Sequence, residues 1–414
     1  MKYKKVKLKD IIFFNPKETI KKNQLAKKIP MDALIPFTRK VGYYEVKEFN
    51  SGTKFRNNDT LMARITPCLE NGKTAYVNIL NEDEIAFGST EYFVLRADEN
   101  YILPKYLYYI SISDKLRNVA IKSMTGTSGR QRAQKESILD FEIELPSISI
   151  QKKVLSILDS IDSKIELNNQ IISNLEELAS TLFKRWFVEF EFPDENGNPY
   201  KSSGGKMVYS ELGEIPEEWE IIKLSDLVVQ IKETFNPNKT EVEKVNHFSI
   251  PNFDSKKFPV IEDVNTIKSN KTKITDFTVL FSKMNPNFER VWLTELNKSY
   301  LNVCSPEFIA LDCKNINLQT YTYFLCKSTA FNRFLVNNAT GSTGSRQRIK
   351  PSIAMGFKFV GAVDLINKYG EICSGISEQI MNLRNQIENL KEMRDALLPK
   401  LLSGEIELSE DEEV

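Results

Sequence analysis

The chain has 414 residues, 41% of them apolar, with 56 Lys/Arg against 56 Asp/Glu and one histidine. That length suits two or three domains with a sizeable core, and no apolar run approaches the ~18 residues of a membrane span. Five cysteines without a CxxC pair, beside the lone His247, exclude a zinc constellation and fit a reducing cytoplasm.

Residues 1–145 carry 25 Lys/Arg against 18 Asp/Glu, a balance that attracts polyanions. The basic start runs into only four apolar residues before Pro16, which does not read as a signal peptide. Its lysines (Lys2, Lys4, Lys5, Lys7, Lys9) are expected to form a solvated face or diffuse phosphate contacts. Segments such as "EYFVLRA" have strand character and "PKYLYYISISDKLRNVA" (Pro104 to Ala120) has helix character, so α+β is the expected class. A polar loop after "TLMAR" carries Arg64, Thr66, Asn71 and Lys73. Then comes "TGTSGRQR", Thr125 to Arg132. Its small residues permit a tight turn and close backbone approach. The hydroxyls of Thr127 and Ser128 suit phosphate oxygens. Arg130, Gln131 and Arg132 suit phosphates or the guanine and adenine edges of the major groove. A structural turn with solvated arginines is the plain alternative.

Residues 146–187 are predicted as a long helix. Ile161, Ile165, Asn168, Ile172, Leu175, Ala179 and Leu182 alternate steps of four and three, a coiled-coil seam. The segment 188–220 carries 2 Lys/Arg against 9 Asp/Glu and is dense in Gly, Pro, Asn and Ser. It reads as a linker, with one short hairpin expected around "NGNPY".

Residues 221–360 are basic again, 19 Lys/Arg against 12 Asp/Glu. They hold His247, read as a surface or packing histidine. A second polar loop, after "VLFSK", carries Lys283, Asn285, Asn287 and Arg290. A second motif, "TGSTGSRQR" (Thr340 to Arg348), carries Ser342, Thr343, Arg346, Gln347 and Arg348. Residues 361–404 are predicted as a second long helix. Its seam runs through Ile376, Ile380, Leu383, Ile387, Leu390, Arg394, Leu397 and Leu401. Asn168 and Arg394 interrupt the two seams as register-setting residues do. The last ten residues, 405–414, are an acidic tail.

The chain is therefore a duplication. "VKLKDII" answers "IKLSDLV", "TLMARITP" answers "VLFSKMNP", and "STEYFVL" answers "SPEFIAL". The Arg-Gln-Arg motifs and the helices follow in the same order, at offsets of 215–219 residues. That spacing is too long for a solenoid and marks two copies of a domain plus a helix. Two helices of ~38–40 residues would each be roughly 55–60 Å long. Paired antiparallel, they would act as a ruler.

Enzyme motifs are missing. "GSTGSRQR" lacks the GK[ST] end of a phosphate-binding loop. "NPNF" (Asn285 to Phe288) approaches the adenine-holding motif of amino-methyltransferases. However, its third position is not proline, and no glycine-rich S-adenosylmethionine loop precedes it. It reads as a loop after a strand.

The repeated order of domain and helix resembles the specificity subunits of type I restriction–modification systems. Three stretches carry the likeness: "LDFEIELPSISIQKKVLSILDSIDSKIELNNQIISNLEELASTLFKRWF", the linker "FPDENGNPYKSSGGKMV…LGEIPEEWE", and "RDALLPKLLSGEI". The first keeps Pro146 and Gln151 of the family's spacer start but otherwise departs from its usual PLP-x-x-EQ form. The resemblance implies two pseudo-symmetric α+β target-recognition domains separated by two long antiparallel coiled-coil helices. It implies a non-catalytic subunit that binds double-stranded DNA, one half-site per domain. Two methyltransferase subunits would dock on it and bring the S-adenosylmethionine, with motor–nuclease subunits joining for cleavage. No cofactor, metal or membrane is expected for the chain itself. A stand-alone pseudo-dimeric DNA-binding regulator and a self-contained DNA methyltransferase are the alternatives.

Overall fold

A computed structural model describes residues 3–341 and 347–408. Ser342, Thr343 and Arg346, and the tail from residue 409, lie outside the described residues. The chain divides into two compact units, Met1–Ile165 with Asn389–Val414, and Glu166–Glu388. Each unit combines one globular domain with a stretch of both long helices.

The first unit begins with β1 (Lys4–Lys7), β2 (Ile12–Phe14), β3 (Leu25–Ile29), β4 (Glu45–Glu48) and β5 (Thr53–Phe55). It continues with β6 (Thr60–Ala63), β7 (Thr74–Tyr76), β8 (Ala86–Gly88) and β9 (Tyr92–Ala97). The helices α1 (Pro104–Ile112), α2 (Asp114–Lys122) and α3 (Lys135–Leu139) follow. After them come β10 (Glu142–Leu145) and the 40-residue α4 (Ile148–Phe187). One sheet has the order β2-β9-β6-β7 and the other β4-β3-β8-β5. Only β3 and β8 run parallel. β6 and β9 are almost wholly buried, as strands between two layers are. β1 pairs with β10 and closes the domain just before α4. Three lysines of the N-terminal cluster are taken up here. Lys5 pairs with Glu142, and Lys7 and Lys9 with Asp140.

The stretch Pro104 to Ala120 is not one helix. Ser113 is extended, at φ −60° and ψ 143°, and its hydroxyl accepts from the Leu116 N–H to start α2. A serine that caps a helix start satisfies a backbone donor better there than inside a helix.

The second unit repeats this plan. After the linker hairpin of β11 (Met207–Ser210) and β12 (Gly213–Pro216) come β13 (Glu220–Lys223), α5 (Leu224–Leu227), β14 (Val229–Gln230) and β15 (Thr234–Phe235). Next are β16 (Lys244–Phe248), α6 (Ile250–Lys256), β17 (Val260–Asp263), β18 (Lys271–Lys273) and β19 (Thr278–Ser282). Then come β20 (Val291–Leu293), β21 (Leu301–Cys304) and β22 (Phe308–Asp312). The chain ends with α7 (Ile316–Lys327), α8 (Thr329–Asn337), α9 (Pro351–Met355), β23 (Lys358–Gly361) and the 41-residue α10 (Val363–Ser403). The sheet orders are β14-β22-β19-β20 and β15-β18-β21-β16-β17, with β16 and β21 parallel. Strand for strand this is the first domain, extended at one edge by β15. Ser328 caps α8 as Ser113 caps α2. His247 is a packing residue on β16, with Nδ1 3.0 Å from Glu262.

The linker holds more structure than expected. Around "NGNPY" the chain makes the expected short hairpin: Pro193 and Pro199 form an antiparallel bridge, Tyr200 N–H bonds the Phe192 carbonyl at 2.9 Å, and the Asp194 carboxylate accepts from the Asn196 and Asn198 N–H groups. A second hairpin lies further on, at β11 and β12. The passage is also anchored rather than loose. Phe192 stacks on Tyr200 and Trp219, at centroid distances of 4.6 and 5.1 Å. Such pairs add to the burial of their area.

The long helices pack on each other, antiparallel. In the second unit Asn168 donates to Gln386, Arg384 donates to Glu176, and Tyr369 reaches the Ala179 carbonyl. In the first unit Arg394 donates to Asp162 at 3.1 Å, both nearly fully buried. Both polar seam residues thus have partners on the opposite helix. Ile161, Ile165, Ile380, Leu383, Ile387 and Leu401 are buried, while Ile172, Leu175, Leu182, Ile376, Leu390 and Leu397 are half-buried. Toward the domains the seam hands over to other residues. Val154 and Leu158 pack with Leu398 and Leu401 in the first core, and Phe183, Trp186 and Phe187 with Tyr321 and Tyr369 in the second. Burying each such aliphatic side chain stabilises by about 2 kcal/mol. Gln151 is fully buried at the start of α4. Its amide accepts from the Leu103 N–H and donates to the carbonyls of Tyr101 and Pro146, fixing α4 to the domain.

Candidate nucleic-acid interface

The two polar loops and the two Arg-Gln-Arg motifs come together in the same way in each copy. In the first unit the chain leaves β6 at Arg64 and turns back to β7. The returning motif zips onto it, with Ala133 N–H bonded to the Arg64 carbonyl and Thr66 N–H to the Gln131 carbonyl, at 2.8 and 3.0 Å. The motif is itself a small hairpin. Thr125 and Arg132 exchange both backbone bonds, at 3.0 and 2.9 Å. Gly126 and Gly129 take φ of +127° and +77° in its tip, a region that favours glycine.

The second copy has the same stem. Ile349 N–H bonds the Lys283 carbonyl, Asn285 N–H bonds the Gln347 carbonyl, and Thr340 and Arg348 exchange both bonds at 2.9 Å. The last Gln-Arg of each motif thus forms the stem of a hairpin mounted on the end of β6 or β19.

Side-chain fates divide the expected contacts. Arg132 makes a forked contact with Glu91, with Nε at 2.9 Å and Nη2 at 2.6 Å. Arg64 Nε joins the same carboxylate at 3.0 Å. The Arg132 guanidinium, aided by Arg64 and opposed by partial burial, holds Glu91 below the usual carboxylate range. Arg348 makes the same fork to Glu307, at 3.2 and 3.1 Å. Lys73 donates to the Met31 carbonyl at 2.9 Å, and Arg290 forks onto Asp254 at 2.6 and 2.9 Å. These cations are occupied inside the chain, a contrast with the expectation that all would face DNA. Thr66 is half-buried with its hydroxyl on Met124 Sδ, and Asn287 donates to Gln347.

Thr127, Ser128, Arg130 and Asn71 are exposed. Gln131 and Lys283 are half-buried at the stems, and Asn285 takes a left-handed φ of +49°. "NPNF" is a loop after β19, with Phe288 exposed under the Arg290 guanidinium. Sequence reasoning did not single out Glu91 or Glu307. The signal was in the matched "STE" and "SPE". Each serine hydroxyl accepts from the glutamate N–H two residues on, at 3.1 and 3.3 Å.

Residues 1–177 match the family model for the type I restriction modification DNA specificity domain. Over these residues the chain is similar to the specificity subunits of type I restriction–modification systems. Among similar proteins, the MjaIX specificity subunit of Methanocaldococcus jannaschii is 25% identical over 327 residues, covering 75% of this chain and 70% of its own. The HindI specificity subunit of Haemophilus influenzae is 25% identical over 413 residues, covering 85% and 87%. The crystal structure of a type I restriction-modification S subunit from M. genitalium shares the fold, at a TM-score of 0.55 and 15% identity, over 97% of this chain and 96% of that one. Among the described residues no helix is long and apolar enough to cross a membrane.

Proposed function

We propose that this chain is a specificity subunit that reads a two-part target in double-stranded DNA, one part per globular domain. The observation that carries this is the duplicated hairpin and loop, mounted identically on β6 and β19 of two basic domains. Arg130 lies exposed at the hairpin tip in the first copy. Its guanidinium, with the Thr127 and Ser128 hydroxyls, clamps the sugar–phosphate backbone. Asn71, Lys283 and the other loop positions that differ between copies read base edges. The paired helices set the gap between the two parts. The chain itself performs no chemistry in this reading. Two methyltransferase subunits dock on it and carry the S-adenosylmethionine, and motor–nuclease subunits join for cleavage.

Methylome sequencing of a strain with and without this chain tests the proposal. The expected result is a methylated motif of two short elements around a fixed gap, lost when the chain is deleted. A contiguous motif, or no motif that depends on the chain, refutes it.

A further inference from the structure

We infer that Glu91 and Glu307 are positioning residues for DNA reading: each grips the last arginine of its hairpin and fixes the hairpin stem and the neighbouring loop as one rigid reading unit. The inference rests on the proposed reading of a two-part DNA target.

Three observations carry it. First, the constellation occurs twice. A serine-capped turn presents a glutamate, the glutamate forks onto the arginine, and its own carbonyl accepts the N–H of the residue that leaves the central strand. Arg64 N–H reaches the Glu91 carbonyl at 3.0 Å and Lys283 N–H reaches the Glu307 carbonyl at 2.9 Å. Each glutamate therefore holds both loops, one by side chain and one by backbone.

Second, stability does not explain the pair. The Arg132 and Arg348 side chains are 45% and 55% exposed, and exposed ion pairs contribute only ~0–1 kcal/mol. What a fork does supply is orientation, since two parallel N–H···O bonds fix a guanidinium plane.

Third, the carboxylate decides which arginine faces the ligand. A phosphate approaching Arg132 would meet Glu91 2.6 Å behind the guanidinium, so that charge is already compensated. Arg130, two residues away, forms no such pair and sits on the hairpin whose stem the fork immobilises. Rigid support of a reading group from behind is what preorganised recognition needs.

The test uses the intact chain in its own strain, read by methylome sequencing. Glu91→Gln is expected to lower methylation at cognate sites about tenfold and to extend it to sites altered in one element only, the size expected for one lost base contact. The other element stays unchanged. Glu307→Gln gives the reciprocal pattern. The exchanged pair Glu307→Arg with Arg348→Glu, where no second cation among the described residues shares the carboxylate, restores the fork and is expected to restore the motif, and purified variants keep their melting temperature within a few degrees. If both single variants leave both elements untouched while the wild-type motif persists, the positioning role is wrong and the two-part reading stands. If the wild-type strain shows no chain-dependent motif, the two-part reading itself falls. If either single variant fails to fold, the exchanged Glu307/Arg348 pair decides: a folded exchanged variant without the motif overturns the inference.

Discussion

Glu176 of α4 is the carboxylate at which three helices of the second unit meet. Lys327 and the Tyr323 hydroxyl of α7 reach it at 2.8 and 2.7 Å, and Arg384 of α10 reaches it at 3.0 Å. Burial alone would raise its pKa, but Lys327 and Arg384 overcome that and bring it from 4.5 to about 2. A drop of that size corresponds to about 3 kcal/mol of stability that depends on the carboxylate being ionised. The folded pKa is depressed, so this contribution is complete above the unfolded value near 4.5. It is lost as pH falls from there toward 2, and about 2 kcal/mol of it survives at pH 3.5.

Glu176→Gln removes the charge and leaves Lys327 and Arg384, 19% and 11% exposed, without their counter-ion. The expected cost at pH 7 is about 3 kcal/mol, as for breaking a buried pair from one side. Fluorescence isolates the relevant unit, because all three tryptophans, Trp186, Trp219 and Trp292, lie in the second one. Urea unfolding followed by tryptophan emission should show the variant less stable at pH 7 by that amount. The difference should narrow by about 1 kcal/mol at pH 3.5, where Glu176 is protonated in the unfolded chain but still ionised in the fold. A difference under about 1 kcal/mol at pH 7, or one that does not change with pH, would refute the assignment of Glu176 as the ionised centre.

Two further outcomes follow from packing and helix geometry. Gly370 of α10 lies against α7, where an added Cβ would stand 2.5 Å from the Asn317 carbonyl oxygen. Gly370→Ala should cost about 1–3 kcal/mol in the same fluorescence assay, and an unchanged urea midpoint would contradict the close approach. Matched insertions of seven residues in α4 and α10 keep both seams in phase and add ~10 Å of helix. The methylated motif should then widen by about 3 base pairs at 3.4 Å each, and an unchanged gap would refute the helices as the ruler.

Much of the architecture was legible in the sequence because it is periodic or repeated. Matched segments at constant offset exposed the duplication, and steps of three and four exposed the helical seam. The structure keeps both, down to the parallel β3–β8 pair recurring as β16–β21. What was not legible is what depends on distant partners. "STEYFVL" and "SPEFIAL" were visible as a match, yet nothing local in them says that the glutamate turns toward an arginine 41 residues further along the chain. The aromatic residues of the linker read as loop residues because Phe192, Tyr200 and Trp219 have no common period. Their order comes from stacking in three dimensions.

The seam hid a second distinction. α4 contributes the buried carboxylates Asp162 and Glu176, and α10 contributes the arginines Arg394 and Arg384 that meet them. An apolar seam alone would let either helix pair with a copy of itself. Pairing α4 with α4 would bury carboxylates without cations, and pairing α10 with α10 would bury arginines without anions, each costing several kcal/mol per unpaired ion. The charges therefore specify the α4–α10 pairing as a polar residue specifies a coiled-coil partner. Periodicity shows that two helices have seams, while the charges in and beside those seams show which two belong together.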